Sequence, residues 1–445
     1  MNYFEFFMFF EEHTLSVILF AIVLSIVYLF MYRKYFDTVF DPLFLVVVIA
    51  GLSSSTVFLL YYHNIIKTHY FLQFLWTEIA FLAGFFLIRP INFKAYKNAA
   101  PIAHQTKSNE EFALTLFYWC SIIHVILQLL TYKLIGLPIL MDSRMATFTG
   151  GGGFGIVGRI IEVTSTVGTF LLFYRIFYVK NSFGQKFYNY IYLLLVIFFQ
   201  LASGNKTNML FLVYFLFILN LFMLKIKGRE ALHVINKVAK YQKYIIIASI
   251  PLIFAVIYIQ YVNSGADVEK LSALSSLVFR VVSFGDIYYM TLPNDVITHM
   301  NNDSAFLQLF KDPLGFFRIV PWNNLPIDCG IEIYQYHITD NAIGGPNARY
   351  NYFAMLYFNP IGQFLYCFFL GLIVSFLRNM LFMLMSKNIV YGALYALVTF
   401  NIIYIYQDQA FTLARFLNII MFFPLMLLLS LLTIELKKIN IKNNE

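Results

Sequence analysis

The sequence predicts an all-α, polytopic membrane protein, and three observations carry that reading. Hydrophobic residues make up 60% of the 445 and charged residues 12%, about half the charged share of an ordinary soluble domain. Mean hydropathy is +0.72. Apolar runs of about 20 residues, long enough to cross a bilayer as a helix, recur along the chain.

In order, those runs fall near 14–32, 42–62, 69–88, 111–131, 155–179, 187–202, 207–225, 244–262, 353–377, 388–406 and 412–434, which makes about eleven transmembrane helices. Residues 1–262 therefore form helices one to eight. Residues 263–351 form one large polar loop containing short helices. Residues 352–445 supply the last three helices and a tail. The loop carries Arg280, Asp286, Asp295, Asp303, Asp312, Arg318, Trp322, Asp328, Glu332, His337, Asp340 and Arg349. A loop this long without low-complexity composition is usually functional.

Lysine and arginine set the orientation. One set of connections holds Arg33 and Lys34; Arg89, Lys94, Lys97 and Lys107; Lys180 and Lys186; Lys225 to Lys243; Arg378 and Lys387; and Lys437, Lys438 and Lys442. The alternate set is poorer, with Lys67, Lys133, Arg144, Lys206 and the long loop. Positive charge stays cytoplasmic, so the N-terminus and the long loop are expected outside and the C-terminus inside. The turn Ser203–Thr207 then faces the same side as the loop.

The net charge of +8 is no sign of nucleic-acid binding, because it sits beside spans where topology explains it. The three cysteines, Cys120, Cys329 and Cys367, form neither a disulfide framework nor a metal spacing. Glu5, Glu11 and Glu12 occupy the region where a cleaved signal would be basic, so the first span reads as a signal anchor. No internal repeat of the kind secondary transporters carry is visible.

Within the exterior set, Lys206 can act as a point charge for phosphate or simply snorkel to water. Arg280, in Leu277–Val282, lies in an apolar stretch read as a helix along the outer membrane surface; Arg318, in Phe316–Val320, is read the same way. Each must meet an anion or water, and Asp286 or Asp312 is an alternative partner. His337 suits proton transfer near neutrality, with Asp340 and Arg349 close in sequence. Gly344, Gly345 and Pro346 fix a turn that delivers Asn347 and Arg349 to the membrane surface. Arg159 and Glu162 share a helix face, as a structural ion pair would. Glu78 in mid-span should face the bundle interior; His124 and Arg415 are also intramembrane or nearly so. The run Gly150–Gly153 is no P-loop, since no Gly-Lys-Ser/Thr follows. No Asp-x-Asp or Cys/His cluster indicates a metal.

In layout over nearly its whole length, and in a few short strings, the chain resembles the bacterial Wzy-type oligosaccharide repeat-unit polymerases of O-antigen and capsule synthesis. The strings are Gly136-Leu137-Pro138 with Arg144, Ser203-Gly204-Asn205-Lys206, Gly345-Pro346-Asn347-Ala348-Arg349 and Tyr357–Gly362. Many relatives have glycine where this chain has Asn359-Pro360. The resemblance implies a metal-independent, cofactor-free glycosyltransferase of GT-C-like architecture in the bacterial inner membrane, with the loop in the periplasm. Its substrates would be undecaprenyl-pyrophosphate-linked oligosaccharides, and its partners a chain-length regulator and the repeat-unit flippase. Catalysis would fall to His337, Asp340 and Arg280, with Lys206, Arg144, Arg318, Asn347 and Arg349 on the substrate. The rival readings are an O-antigen ligase transferring to lipid A-core and a lipid-oligosaccharide flippase.

Overall fold

The computed structural model describes residues 1–100, 107–141, 154–203, 208–241, 244, 247, 251, 283–338 and 345–444. Every regular element among them is helical. Eight helices are long and apolar enough to cross a membrane: Thr14–Tyr32, Pro42–Tyr62, Ser108–Leu140, Gly155–Tyr178, Leu210–Tyr241, Pro360–Leu384, Ile389–Tyr406 and Gln409–Ile439. The protein is therefore membrane-embedded. Of the other expected spans, 69–88 and 187–202 also form helices, Thr68–Phe86 and Phe183–Ala202, but neither is apolar enough to join the eight. The segment 244–262 lies largely outside the described residues.

The expected span 353–377 is corrected. It is broken after Tyr357, and the long helix starts at Pro360 and runs to Leu384. The Asn359 side chain accepts the Gly362 N–H at 2.9 Å. Pro360 takes the first helical position, where its missing N–H costs nothing. The Asn359-Pro360 dipeptide is thus a helix start.

The chain forms two compact units, Met1–Ile91 with Val268–Met383 and Thr399–Phe416, and Asn92–Asp267 with Leu384–Val398 and Leu417–Glu445. Contacts thus group the described part of the polar segment, residues 283–338, with the first helices.

In the first unit, α1 (Tyr3–Glu12), α2 (Thr14–Tyr32), α3 (Pro42–Tyr62) and α4 (Thr68–Phe86) precede the polar segment. That segment holds α5 (Asp286–Thr291), α6 (Ala305–Phe316) and α7 (Cys329–His337), followed by α8 (Tyr350–Tyr357) and α9 (Pro360–Ser375). α4 and α9 cross at glycines: a Cβ on Gly84 would lie 1.9 Å from the Phe368 carbonyl, and one on Gly371 would lie 2.1 Å from that of Phe81. Small residues let helices in lipid approach closely enough for dispersion to hold them.

Contacts in this unit respect the alternation of connections. Buried Arg378 donates through Nη2 to the Tyr35 carbonyl at 2.9 Å and to the buried carboxylate of Asp41, which joins two basic-rich connections. Lys67 pairs with Asp295 of the polar segment, and Tyr70 Oη donates to the same carboxylate at 3.0 Å. Phe6 stacks on Tyr289 at 3.9 Å, and His13 lies 4.1 Å from His63, ring to ring. The N-terminal helix, the α3–α4 turn and the polar segment therefore share one end of the unit.

In the second unit, Arg175 Nε donates to Asn189 (3.2 Å), Arg229 Nε to the Asn98 carbonyl (3.1 Å) and Lys437 to Glu111 (3.3 Å), while Lys225 meets the Met385 carbonyl. Each of these contacts joins residues in or beside the basic-rich connections. Arg159 and Glu162 are bridged by one side chain: Arg159 Nη1 donates to Asn418 Oδ1, and Asn418 Nδ2 donates to Glu162, both at 2.8 Å. Buried His124 hydrogen-bonds the Tyr192 hydroxyl at 2.9 Å.

Candidate functional site

Two of the residues singled out in the sequence meet on one short helix, α5. Arg349 precedes α8 and is 6% exposed. Its Nε and Nη2 both donate to the Phe284 carbonyl, at 3.1 and 2.7 Å, just before α5 begins. His337 closes α7, and its Nε2 donates to the Met290 carbonyl at 2.7 Å, in the last turn of α5. The polar segment is thus pinned at both ends of α5. The two carbonyls are six residues apart in the chain, one just before α5 and one in its last turn, so Arg349 and His337 hold opposite ends of it.

The turn that delivers Arg349 depends on two glycines in contact. A Cβ on Gly330 would lie 1.9 Å from the Pro346 carbonyl oxygen, and one on Gly345 would lie 1.8 Å from that of Gly330. The first turn of α7 therefore lies backbone to backbone against the Gly345-Pro346 strap, and any side chain at either position would force them apart. Asn347 is exposed, and its carbonyl accepts the Arg349 N–H at 2.9 Å.

Beneath Arg349 the polar residues form a buried network. Tyr350 Oη donates to Glu78 Oε1 at 2.7 Å, and Asn351 Nδ2 donates to Glu78 Oε1 at 3.2 Å and to Thr77 Oγ1 at 3.0 Å. Tyr288 Oη, on α5, donates to Asn351 Oδ1 at 2.9 Å. Glu78 is thus directed inward as its cost in lipid requires, and its hydrogen-bond donors here, Tyr350 and Asn351, are neutral. Asp286 stands at the start of α5, its Oδ1 accepting the Ile287 N–H at 2.9 Å. Burial pushes its carboxyl up to about 6, against the opposing pull of Arg349. The same desolvation lowers the His337 pKa, which its bond to Met290 only partly opposes. That favours the neutral imidazole a general base needs.

Arg318 is corrected. It is not part of a surface helix but the residue that ends one. α6 closes with the Ile319 N–H on the Leu314 carbonyl at 2.9 Å and Arg318 at φ +55°. This is a Schellman-type end, usually made by glycine. The Arg318 side chain is exposed and makes no hydrogen bond or ion pair with the described residues. Arg144, Lys206, Arg280 and Asp340 lie outside the described residues. Among those described, no three His, Cys, Asp or Glu side chains are grouped as ligands for a metal ion.

Sequence reasoning missed Tyr288, Tyr350 and Asn351. In an aromatic-rich chain nothing distinguishes these tyrosines from packing residues; the one available signal was Asn351, an amide in an otherwise apolar run six residues before the helix ends at Tyr357. Comparison with protein families, with curated proteins and with solved structures finds no match.

Proposed function

We propose that this protein polymerises lipid-pyrophosphate-linked oligosaccharide repeat units, as the Wzy-type enzymes it resembles do. In that reaction a hydroxyl of the incoming repeat unit attacks the anomeric carbon of the growing glycan. The C–O bond to undecaprenyl pyrophosphate breaks, the leaving group keeps the electron pair, and the hydroxyl proton passes to a base, His337 or Asp340. Cationic side chains stabilise the departing pyrophosphate in a low-dielectric setting where they act strongly.

The observation that carries the reading is the anchoring of α5 by Arg349 and His337, which holds a polar segment rigidly at the head of the first helices. Rigid placement of a substrate-facing segment is what a group transfer between two lipid-linked sugars demands. The pairing of basic-rich connections with one another supports placing them on one side of the membrane; in the proposed topology that side is the cytoplasm of a bacterial inner membrane, with the N-terminus periplasmic and the C-terminus cytoplasmic. Arg349 spends two of its donors on Phe284, so it serves as a positioning residue. Arg318, exposed and uncommitted, is better placed to meet a substrate anion.

The test is incubation of the purified protein with undecaprenyl-pyrophosphate-linked repeat units. A ladder of polymers that persists in EDTA is expected. Translocation without new glycosidic bonds would instead identify a flippase. Transfer only to lipid A-core would identify a ligase.

A further inference from the structure

Beside α6 the polar segment encloses a cleft of about 340 Å³, bordered by Asn301, Asp303, Ser304, Asn323, Asn324 and Tyr357. Its size falls within the range of roughly 300–1,000 Å³ of small-molecule sites. One wall is fixed from within: the Asn301 N–H donates to Glu332 at 2.7 Å, the Asp303 N–H to Asn301 Oδ1 at 2.9 Å, and Ser304 Oγ accepts the Leu307 N–H at 3.2 Å. The opposite wall is different. The amides of Asn323 and Asn324 are exposed and make no hydrogen bond with the described residues, so their donors and acceptors are unspent.

An amide offers a donor and an acceptor side by side, the same demand a pair of neighbouring hydroxyls makes. Among the described residues that border the cleft none is cationic, and the one charge is the carboxylate of Asp303. A phosphate, pyrophosphate or uronate would meet repulsion there with nothing to offset it. Trp322 adjoins Asn323 in the same turn. Its indole rests on Gly315, where a Cβ would come within 2.7 Å of the ring, yet the residue is 56% exposed. A held aromatic ring with an open surface suits the C–H face of a sugar.

We infer that this cleft binds an uncharged saccharide, distinct from the residues that would handle the lipid pyrophosphate. The inference deepens the polymerase reading, on which it rests for the saccharide's role as a repeat-unit segment, but the binding itself is separately measurable.

The experiment is saturation-transfer NMR on the purified full-length protein, with maltose and N,N′-diacetylchitobiose as neutral probes and glucuronate and inorganic pyrophosphate as anionic ones. At least one neutral disaccharide should receive transfer, and the Asn323→Ala/Asn324→Ala variant should weaken its binding tenfold or more. Because those amides hold no internal bond, the variant's melting temperature should match that of the parent. Gly315→Ala, which dislodges the indole, should weaken the same binding. The inference fails if neutral binding is unchanged in the asparagine variant, or if the anionic probes bind in its place. It fails equally if neither disaccharide binds at roughly 10 mM, where even a millimolar site would be mostly filled. Neutral binding without a polymer ladder would keep the cleft and reject the polymerase; a ladder without neutral binding would do the reverse.

Discussion

Arg349 grips the carbonyl of Phe284 with two nitrogens of one guanidinium edge, Nε at 3.1 Å and Nη2 at 2.7 Å. This single acceptor fixes where α5 starts and therefore where Asp286, Tyr288 and Met290 stand. A lysine reaches the same oxygen with one point charge and no fork. Arg349→Lys should consequently retain the fold but loosen α5. Arg349→Ala leaves a buried carbonyl unsatisfied and should cost about 1–3 kcal/mol of stability. In the ladder assay, both variants should lose polymerisation with little change in melting temperature for the lysine form. Full activity in Arg349→Ala would remove this residue from the site.

Glu78 supports α8 from inside the first unit. Glu78→Gln keeps the Oε1 acceptor for Tyr350 and Asn351 and should be tolerated. Glu78→Leu strands two buried donors and should cost about 1–3 kcal/mol for each. Thermal unfolding in detergent distinguishes the two. Equal loss in both would mean that negative charge, rather than acceptance, is what the network requires.

Two carboxyls outside the spans, Asp286 and Asp408, are pushed up to about 6, chiefly by burial. A raised carboxyl binds its proton more tightly folded than unfolded. The destabilisation is therefore absent below the unfolded value near 3.9 and grows until about pH 6. Stability should fall as pH rises through that window, by up to about 1.4 kcal/mol per unit for each group. Asp286→Asn should remove its share of the slope, read from melts between pH 4 and 7. An unchanged slope in both Asn variants would show that neither carboxyl is desolvated.

The features legible in the sequence were those with a large solvation cost. Glu78 in an apolar run could only point inward, and it does. The sequence placed Arg33–Lys34 and Arg378 in the same basic-rich set, but that Arg378 pairs with Asp41 and that Phe6 stacks on Tyr289 came only from the packing. What escaped notice was short-range geometry. The helix break at Asn359-Pro360 hides inside an apolar run, because hydropathy counts side chains and ignores caps. The role of Arg318 depends on a backbone angle that composition does not encode. Asn323 and Asn324 border a cleft only because α6 and the Trp322 turn are brought together.

The Asp41–Arg378 pair is buried on both sides, with side chains 0% and 2% exposed. Removing one partner strands the other charge and should cost about 3–5 kcal/mol. Arg378→Met and Asp41→Leu should each lower the melting temperature sharply. The double variant should recover most of the loss, because two apolar side chains need no counter-charge. If the double variant is as unstable as the sum of the singles, the two side chains are held by other partners and not by each other.

Arg318 separates backbone need from side-chain function. At φ +55° an arginine carries a steric cost of about 1–2 kcal/mol that glycine does not. Arg318→Gly should therefore raise stability, while Arg318→Ala leaves the strain in place and should leave stability nearly unchanged. Both remove the exposed guanidinium. If that group meets a substrate anion, both variants should lose activity together although their stabilities differ. The comparison of melting temperature with ladder formation reads the two effects independently. A glycine variant that is more stable and fully active would reduce Arg318 to a helix stop, and the substrate anion would have to be met by Lys206, Arg280 or Arg144 instead.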